Sequence, residues 1–273
     1  MTTDTNKITW IASFPRSGNT WIRALITAYN NGGEIHINNI MQTGDKNPEY
    51  YDDIINRPIN DWAMSDQALI KPAAMMRMLE DADGNLMLKT HDCNIDLSGV
   101  AQIPHDITRA AIYIVRDPRD LALSFKNHYN SASINDAIDT LLDNKSLMRF
   151  PNKGLYTPQL SWAIHVSSWM RELPYPVYAL RYEDLLTKPF DILSEIIKFL
   201  GLDYDAELVT KSIESCQFDK LRKQEEKEGF REGVGQEFFH KGESQRWKQE
   251  LAPKLQDRII SACRKEMQSL GYL

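Results

Sequence analysis

ITWIASFPRSGNTW (residues 8–21) is the stretch of sequence that decides the fold. Its apolar first half predicts a buried central strand. After a short polar segment, Trp21, Leu25 and Tyr29 recur at the four-residue spacing of one helix face. The stretch therefore predicts a strand, a tight loop and a helix that packs on a sheet.

The predicted loop has the chemistry of an anion site. A helix N-terminus directs unpaired backbone N–H groups, and the positive end of the helix dipole, towards one point. Gly18 lets the backbone approach a ligand, Ser17 and Thr20 add hydroxyl donors, and Arg16 adds a forked cation. An ordinary strand-to-helix turn explains the loop, taken alone, equally well.

Length, composition and charge indicate an ordinary globular protein. The chain has 273 residues, of which 42% are hydrophobic and 26% charged, and no linker divides it. We therefore predict a single domain over residues 1–273. The net charge of −6 argues against nucleic acid and anionic membrane as partners, so any anion site must depend on local basic groups.

Cysteine spacing and hydropathy indicate the compartment. Cys93, Cys216 and Cys263 lie far apart without C-x-x-C spacing, which argues against a disulfide framework and a zinc site. The polar first residues, and the lack of an 18-residue apolar run, predict neither a signal peptide nor a membrane span. We therefore expect a cytoplasmic protein.

Three further predicted strands, at residues 86–88, 110–115 and 177–180, are each followed by polar side chains. Ligands of open α/β sheets bind beyond the carboxyl ends of the strands, so we expect these side chains to gather there. Their alternatives are surface roles, such as a salt bridge to a neighbouring aspartate. The polar residues at these strand ends are Lys89, His91, Arg116 and Tyr182.

The rest of the pattern predicts an α/β fold in which helices flank a central parallel sheet. We expect an irregular connection over residues 30–66 and a mobile polar segment over 131–155, as loop insertions around residues 30–66 and 130–157. Helices are predicted at residues 67–82, 118–129, 158–173, 190–200, 205–228 and 255–270.

Taken together, these motifs resemble those of the sulfotransferases that use 3′-phosphoadenosine 5′-phosphosulfate (PAPS), of the cytosolic and bacterial small-molecule type. The resemblance extends over residues 8–248, and the joint order of its motifs makes it specific. The matching segments are residues 14–21 for the 5′-phosphosulfate loop, 89–91 for Lys-Thr-His, 114–124 for the 3′-phosphate strand, loop and helix, 182–184 for Tyr-Glu-Asp, and 240–248 for Arg-Lys-Gly…Trp-Lys.

The resemblance implies transfer of a sulfuryl group from PAPS to a small-molecule hydroxyl or amine, leaving 3′-phosphoadenosine 5′-phosphate (PAP), with no metal needed. His91 would be the general base, since an unperturbed imidazole titrates at ~6.5. Arg16 and Lys89 would stabilise the leaving phosphate. The implied 5′-phosphate ligands are Ser17, Gly18, Asn19 and Thr20, the 3′-phosphate ligands Arg116, Ser124, His240, Lys241 and Gly242, and the adenine contacts Trp21 and Tyr182.

The sequence departs from the family pattern at three places. Arg16 stands where the family more often has Lys, and His240 where it usually has Arg. Residues 243–246 replace a segment that contains a second glycine, so the path of that loop is open. The family's C-terminal dimerisation pattern is absent as well, and the oligomeric state therefore stays undecided.

Two other functions compete with this interpretation. A P-loop kinase or nucleotide hydrolase would share the strand-loop-helix, but the loop lacks the Lys-Ser/Thr pair that contacts the β- and γ-phosphates and Mg²⁺. An inactive PAP-binding homologue would share the fold. The presence of both Arg16 and His91 argues against it.

Overall fold

The computed structural model describes residues 7–41, 44–56, 58, 62–128, 131–149, 154–233, 238–239 and 242–273. Within these residues, every apolar run predicted as a buried strand forms one. The strands are β1 (Ile8–Ser13), β2 (Leu86–Thr90), β3 (Asp96–Leu97), β4 (Val100–Ala101), β5 (Thr108–Val115), β6 (Leu147–Arg149), β7 (Tyr156–Pro158) and β8 (Val177–Arg181).

A parallel sheet of four strands, in the order β2-β1-β5-β8, forms the centre of the fold. Ile11 of β1 lies opposite Lys89 of β2 on one side and Ile112 of β5 on the other. Because all the strands run in the same direction, their carboxyl ends meet at one edge of the sheet. The predicted fold class is confirmed, and the predicted polar residues share that edge.

The two faces of the sheet are covered by separate apolar clusters. Successive side chains of a strand point to opposite faces. Trp10 and Ala12 of β1 therefore pack in one cluster, with Trp162 and others, while Ile11 packs in the second cluster, with Leu25 and others. All five side chains are completely buried. Burial on both faces explains the continuous apolar runs of the central strands.

The helices cover these faces, and two antiparallel hairpins, β3-β4 and β6-β7, lie outside the main sheet. None of the helices in the described ranges is long and apolar enough to cross a membrane. A 3₁₀ turn occupies Ile37–Asn39. The helices are α1 (Asn19–Asn30), α2 (Pro48–Ile55), α3 (Met64–Glu80), α4 (Pro118–His128), α5 (Ile134–Leu142), α6 (Trp162–Met170), α7 (Tyr182–Thr187), α8 (Pro189–Leu200), α9 (Ala206–Ser215), α10 (Phe218–Glu228), α11 (Trp247–Glu250) and α12 (Pro253–Ser269).

The prediction of irregular chain is wrong for parts of both inserted segments. Helix α2 lies within 30–66, where the Asn47 side chain accepts from the Glu49 N–H and Pro48 takes the first turn. Helix α5 lies within 131–155, capped by Ser133, and it buries three apolar side chains. Each helix is short, which explains why its apolar periodicity was too brief to recognise.

The prediction of a single helix over residues 205–228 is also wrong, because the helix is interrupted at Cys216, between α9 and α10. The carbonyl of Cys216 accepts a hydrogen bond from Trp21 Nε1 at 3.0 Å. The break brings Phe218, the first residue of α10, against the Trp21 ring, with 4.8 Å between ring centroids. A long-range contact therefore overrides the local helical pattern.

Candidate active site

Among the residues that the structure describes, the loop between β1 and α1 has two kinds of hydrogen-bond donor without a protein partner. Ser17 is completely buried, and its Oγ forms no hydrogen bond within that part of the chain. Gly18 is the N-cap residue of α1, and no side chain caps this helix. An uncapped helix N-terminus beside an unpartnered hydroxyl is an arrangement that a bound anion satisfies.

Gly18 is required at this loop for two physical reasons. Its φ of 103° lies in the left-handed region that side chains disfavour. A Cβ at this position would lie 2.7 Å from the ring of Tyr182. The glycine therefore allows the loop and the Tyr182 ring to come into contact.

The side chains of Asn19 and Thr20 have different roles from one another. Asn19 Nδ2 donates to the carbonyl of Ile11 at 2.9 Å and to Ser13 Oγ at 3.3 Å, while its Oδ1 accepts from Arg23. That side chain is fully used inside the protein, so only the backbone of Asn19 is left to meet an anion. Thr20 Oγ1 accepts from Arg23, which leaves its hydroxyl hydrogen available to a ligand.

Two arginines from different strand ends meet beside the loop. Arg116 Nη1 donates to the carbonyl of Arg16 at 3.2 Å, and Arg16 Nε lies 3.4 Å from Ser124 Oγ. The guanidinium of Arg116 lies 4.5 Å from the ring centroid of Tyr182, and its buried Nε forms no hydrogen bond with any described residue. Among the described residues it forms no ion pair with Asp117, which binds Arg119 instead. Four of the predicted residues, Arg16, Arg116, Ser124 and Tyr182, therefore lie together beside the loop.

An aromatic pair lies at the other side of the loop. The rings of Trp21 and Phe218 are 4.8 Å apart and inclined by 45°. Gly242 packs against the same phenylalanine, because a Cβ on it would lie 2.3 Å from that ring. Phe218 was missed in the sequence, where it begins a charged segment; its contact with Trp21 arises only from the fold.

Lys89 and His91 project from the end of β2. Lys89 Nζ lies 3.1 Å from Glu232 Oε2, and its side chain is 25% exposed. His91 Nδ1 lies 2.8 Å from the carbonyl oxygen of Ser13. Since a carbonyl only accepts, Nδ1 carries the proton and Nε2 carries the lone pair. No described residue forms a hydrogen bond with that Nε2.

The environment keeps the imidazole of His91 uncharged. Burial, together with the neighbouring Lys89 ammonium, lowers the pKa of His91 to about 3, although the hydrogen bond to Ser13 acts in the opposite direction. The ring is therefore neutral at pH 7, and its Nε2 carries no proton.

A second histidine, His165, contacts the backbone of His91. His165 is completely buried, its Nε2 lies 3.3 Å from the His91 carbonyl, and its Nδ1 lies 3.0 Å from the hydroxyl of Tyr113. Because the carbonyl accepts, His165 donates from Nε2 and accepts from the Tyr113 hydroxyl. Burial lowers the pKa of His165 to about 3, so this ring too is neutral. Sequence reasoning did not identify it.

The segment before Trp247 is the place where the sequence lacks the second glycine of the family pattern. His240 and Lys241 lie outside the described residues. Gln245 has a φ of 63°, the left-handed conformation that glycine adopts readily, and its N–H donates to Asp120 Oδ2 at 2.6 Å. The loop therefore makes its turn without the second glycine.

A family model described as "Sulfotransferase domain" matches residues 6–271. The chain belongs to the sulfotransferase family. Rat "Sulfotransferase 1A1" is 26% identical over 216 residues, which cover 78% of this chain and 66% of the rat protein. "Cytosolic sulfotransferase 13" of Arabidopsis thaliana is 22% identical over 267 residues, covering 94% of this chain and 76% of the plant protein.

Solved structures of sulfotransferases share the fold. Mouse sulfotransferase SULT7A1 complexed with PAP gives a TM-score of 0.63 at 18% identity, over 97% of this chain and 84% of the mouse chain. Retinol dehydratase in complex with androsterone and inactive cofactor PAP gives 0.62 at 21% identity, over 95% of this chain and 80% of that chain.

The groups that this sulfotransferase leaves unsatisfied fit a nucleotide with phosphates at two positions. Ser17 Oγ and the N-terminus of α1 provide donors at the loop, and Arg116 Nε, which no described residue accepts from, provides another donor beside it. The Trp21 and Phe218 rings, inclined to each other by 45°, present aromatic faces of the kind on which a purine packs. The described residues include no group of three His, Cys, Asp or Glu side chains that could hold a metal ion.

Proposed function

We propose that this sulfotransferase transfers the sulfuryl group of PAPS, in line, to a hydroxyl or amine of a small-molecule acceptor in the cytoplasm. His91 is the general base, and Arg16 and Lys89 stabilise the leaving phosphate. The observation that carries the proposal is the tautomer of His91, whose unprotonated Nε2 lies at the same strand end as the Lys89 cation.

The donor would be held at both of its phosphates. The backbone of the loop with the hydroxyls of Ser17 and Thr20 would bind the 5′-phosphate. When bound, PAPS supplies an activated sulfuryl group on a phosphate leaving group. The 3′-phosphate would be held by Arg116, Ser124, His240, Lys241 and Gly242, and the adenine by Trp21, Tyr182 and Phe218.

His91 would take the acceptor's proton onto Nε2 while its Nδ1–H stays on the Ser13 carbonyl. An anionic donor beside the ring favours the imidazolium and so raises the pKa of His91 from its low value in the free protein. Arg16 and Lys89 would place positive charge where negative charge develops on the phosphate of the broken S–O bond. The products are the sulfated acceptor and PAP.

The inserted segments are proposed to line the acceptor site. Tyr51 and Met64 from the first segment, and Leu155 and Tyr156 from the second, meet around a small cavity of about 10 Å³. Lys46 also borders this cavity and binds Asp92, the residue after His91. A cavity of this size must widen for an acceptor to enter.

The test is to incubate the protein with labelled PAPS and a panel of phenols, alcohols and amines, with and without EDTA. Sulfated product that survives EDTA supports the proposal. Phosphoryl transfer from ATP that requires Mg²⁺ would identify a kinase, and tight PAP binding without any transfer would identify an inactive homologue.

The His91→Asn variant tests the base separately. We expect turnover to fall by about 10²-fold or more, the usual contribution of a positioned base. PAP affinity should change by less than about threefold, because donor binding rests on other residues. His36→Asn, at an exposed histidine that pairs with Glu228, is the matched control and should keep full turnover. Unchanged turnover in His91→Asn would refute the role of this residue.

A further inference from the structure

Arg23 is an arginine that the proposed chemistry does not use, yet it is completely buried beside the phosphate loop. Its Nε donates to Asn19 Oδ1, and its Nη2 donates to Thr20 Oγ1 at 3.0 Å. Its Nη1 donates to the carbonyl of Met41 at 2.6 Å. Burying a charge is costly unless it is paired and hydrogen-bonded, so these contacts alone do not complete the site.

Glu232 completes it. Its two carboxylate oxygens accept from Nη1 and Nη2 of Arg23, each at 2.8 Å, in the bidentate geometry that Arg and carboxylate favour. Every N–H of the guanidinium then has an acceptor. Arg23 has no donor left for a ligand, so any effect on the reaction must pass through its neighbours.

Lys89 is the neighbour that matters most. Glu232 Oε2, already bound to Arg23, also lies 3.1 Å from Lys89 Nζ. The carboxylate is ionised, because Lys89 and Arg23 together outweigh burial and lower the pKa of Glu232 to about 2. An unrestrained lysine side chain loses much rotamer entropy when it binds a ligand. A salt bridge to a carboxylate that Arg23 already holds in place removes part of that entropy before the ligand binds.

Resting on the proposed function, we propose that Glu232, anchored by the buried Arg23, is a positioning residue that holds the Lys89 ammonium at the leaving-phosphate position. Arg23 does the same for Thr20, since donation into Oγ1 turns the hydroxyl hydrogen away from the guanidinium. The Arg23–Glu232 ion pair thus orients two groups that are proposed to contact the donor, the Thr20 hydroxyl on α1 and the Lys89 ammonium on β2.

The opposite role for Glu232 is that of a competitor, a carboxylate that occupies Lys89 until the donor displaces it. The two roles predict different kinetics. A positioning carboxylate raises kcat and changes donor affinity little, whereas a competing carboxylate weakens donor affinity and leaves kcat unchanged. Glu232→Gln separates them, because the amide keeps the size of the side chain and removes its charge.

For Glu232→Gln we expect kcat to fall by about tenfold, a fraction of the 10²–10³ that losing an electrostatic donor outright costs. The Kd for PAP should stay within about threefold of the wild-type value. In a Lys89→Met background the same substitution should have no further effect on kcat, since Glu232 acts through Lys89. An unchanged kcat, PAP binding tightened tenfold or more, or an additive loss in the double variant would each overturn the proposal.

Chemical labelling of lysine amines, followed residue by residue by mass spectrometry, gives a readout without turnover. Release of Lys89 in Glu232→Gln should raise its labelling rate several-fold. Glu228→Gln, at an exposed carboxylate that pairs with His36, is the matched control and should leave the Lys89 rate unchanged. An unchanged Lys89 rate in Glu232→Gln overturns the inference, whereas normal labelling results with no transfer from PAPS refute the proposed function instead.

Discussion

Two clusters of buried charge flank the strand end that carries His91. Lys89 and Thr90 are successive residues of β2, so their side chains point to opposite faces of the sheet. Lys89 joins the cluster of Arg23 and Glu232. Thr90 Oγ1 donates to Asp45 Oδ2 at 2.9 Å and so joins a second cluster. The members of this second cluster are Asp45, Lys46, Lys71 and Asp92.

Both clusters pair a lysine ammonium group with a carboxylate, but they differ in access to solvent. Lys71 is 1% exposed and binds both Asp45 and Asp92, whereas Lys89 is 25% exposed. The paired carboxylates raise the pKa of Lys71, and the two lysines lower that of Asp45, although burial opposes each shift. The closed cluster ties α3 to the chain around β2. Burial, rather than charge, therefore separates a structural cluster from one that can meet a ligand.

The largest expected effect comes from breaking the closed cluster with Lys71→Met. This removes the more deeply buried of the two lysines that Asp45 and Asp92 share and leaves only Lys46, whose side chain is 12% exposed. The free energy of unfolding should fall by about 3 kcal/mol, the lower end of the cost of breaking a buried ion pair. Urea denaturation measures the change. The matched control is Arg77→Met on the same helix, where an exposed pair with Glu80 should be worth about 1 kcal/mol or less. Equal losses in both variants would contradict the contrast between buried and exposed charge.

An effect of intermediate size is expected from His165, which is neutral while both clusters are charged. Its pKa is about 3 in the folded protein and ~6.5 when unfolded. Between these values the unfolded state binds more protons, so stability falls as pH falls. From pH 7 to 5 the loss should be about 2 kcal/mol from this group.

The His165→Gln variant should therefore lose less stability between pH 7 and pH 5 than the wild type, as measured by urea denaturation at each pH. Tyr113→Phe, which keeps the buried histidine and removes one hydrogen bond, serves as the control and should retain most of the pH dependence. Identical pH dependence in wild type and His165→Gln would show that the buried ring does not titrate as described.

The smallest expected effect comes from Gly18, which lies in the loop after β1 and belongs to neither charge cluster. Gly18→Ala should cost about 1–2 kcal/mol for the left-handed backbone. It should also weaken PAP binding, because the new Cβ displaces the Tyr182 ring. Gly84→Ala has a similar φ of 97° with no atom within 4 Å, so it carries the backbone cost alone. PAP titration of both variants should show weaker binding only for Gly18→Ala.

The sequence predicted those parts of the site that depend on local patterns. Apolar runs identified the central strands, and the polar residues that follow them, such as Lys89 and His91, meet at one edge because parallel strands end together. The departures came from contacts between distant segments. Arg23 and Glu232 are 209 positions apart, and neither lies in a motif.

The side chain of Asn19 shows a second limit of prediction. Its position in the loop indicated a phosphate ligand, but its amide is used by Ile11, Ser13 and Arg23. Residue type gives the hydrogen-bonding capacity of a side chain, whereas packing decides its direction. The helices α2 and α5 were missed for a related reason, since each presents few buried residues from which a period can be recognised.

The hydrogen bond from Arg116 to the carbonyl of Arg16 has a consequence for selectivity. It joins the loop after β1 to the end of β5, and Arg116 Nη2 extends the link to the carbonyl of Glu243. The groups proposed to hold the two phosphates of the donor are therefore parts of one braced frame. Because the two sets of groups are linked, we expect them to favour ligands whose two anionic groups lie a particular distance apart, in addition to favouring negative charge.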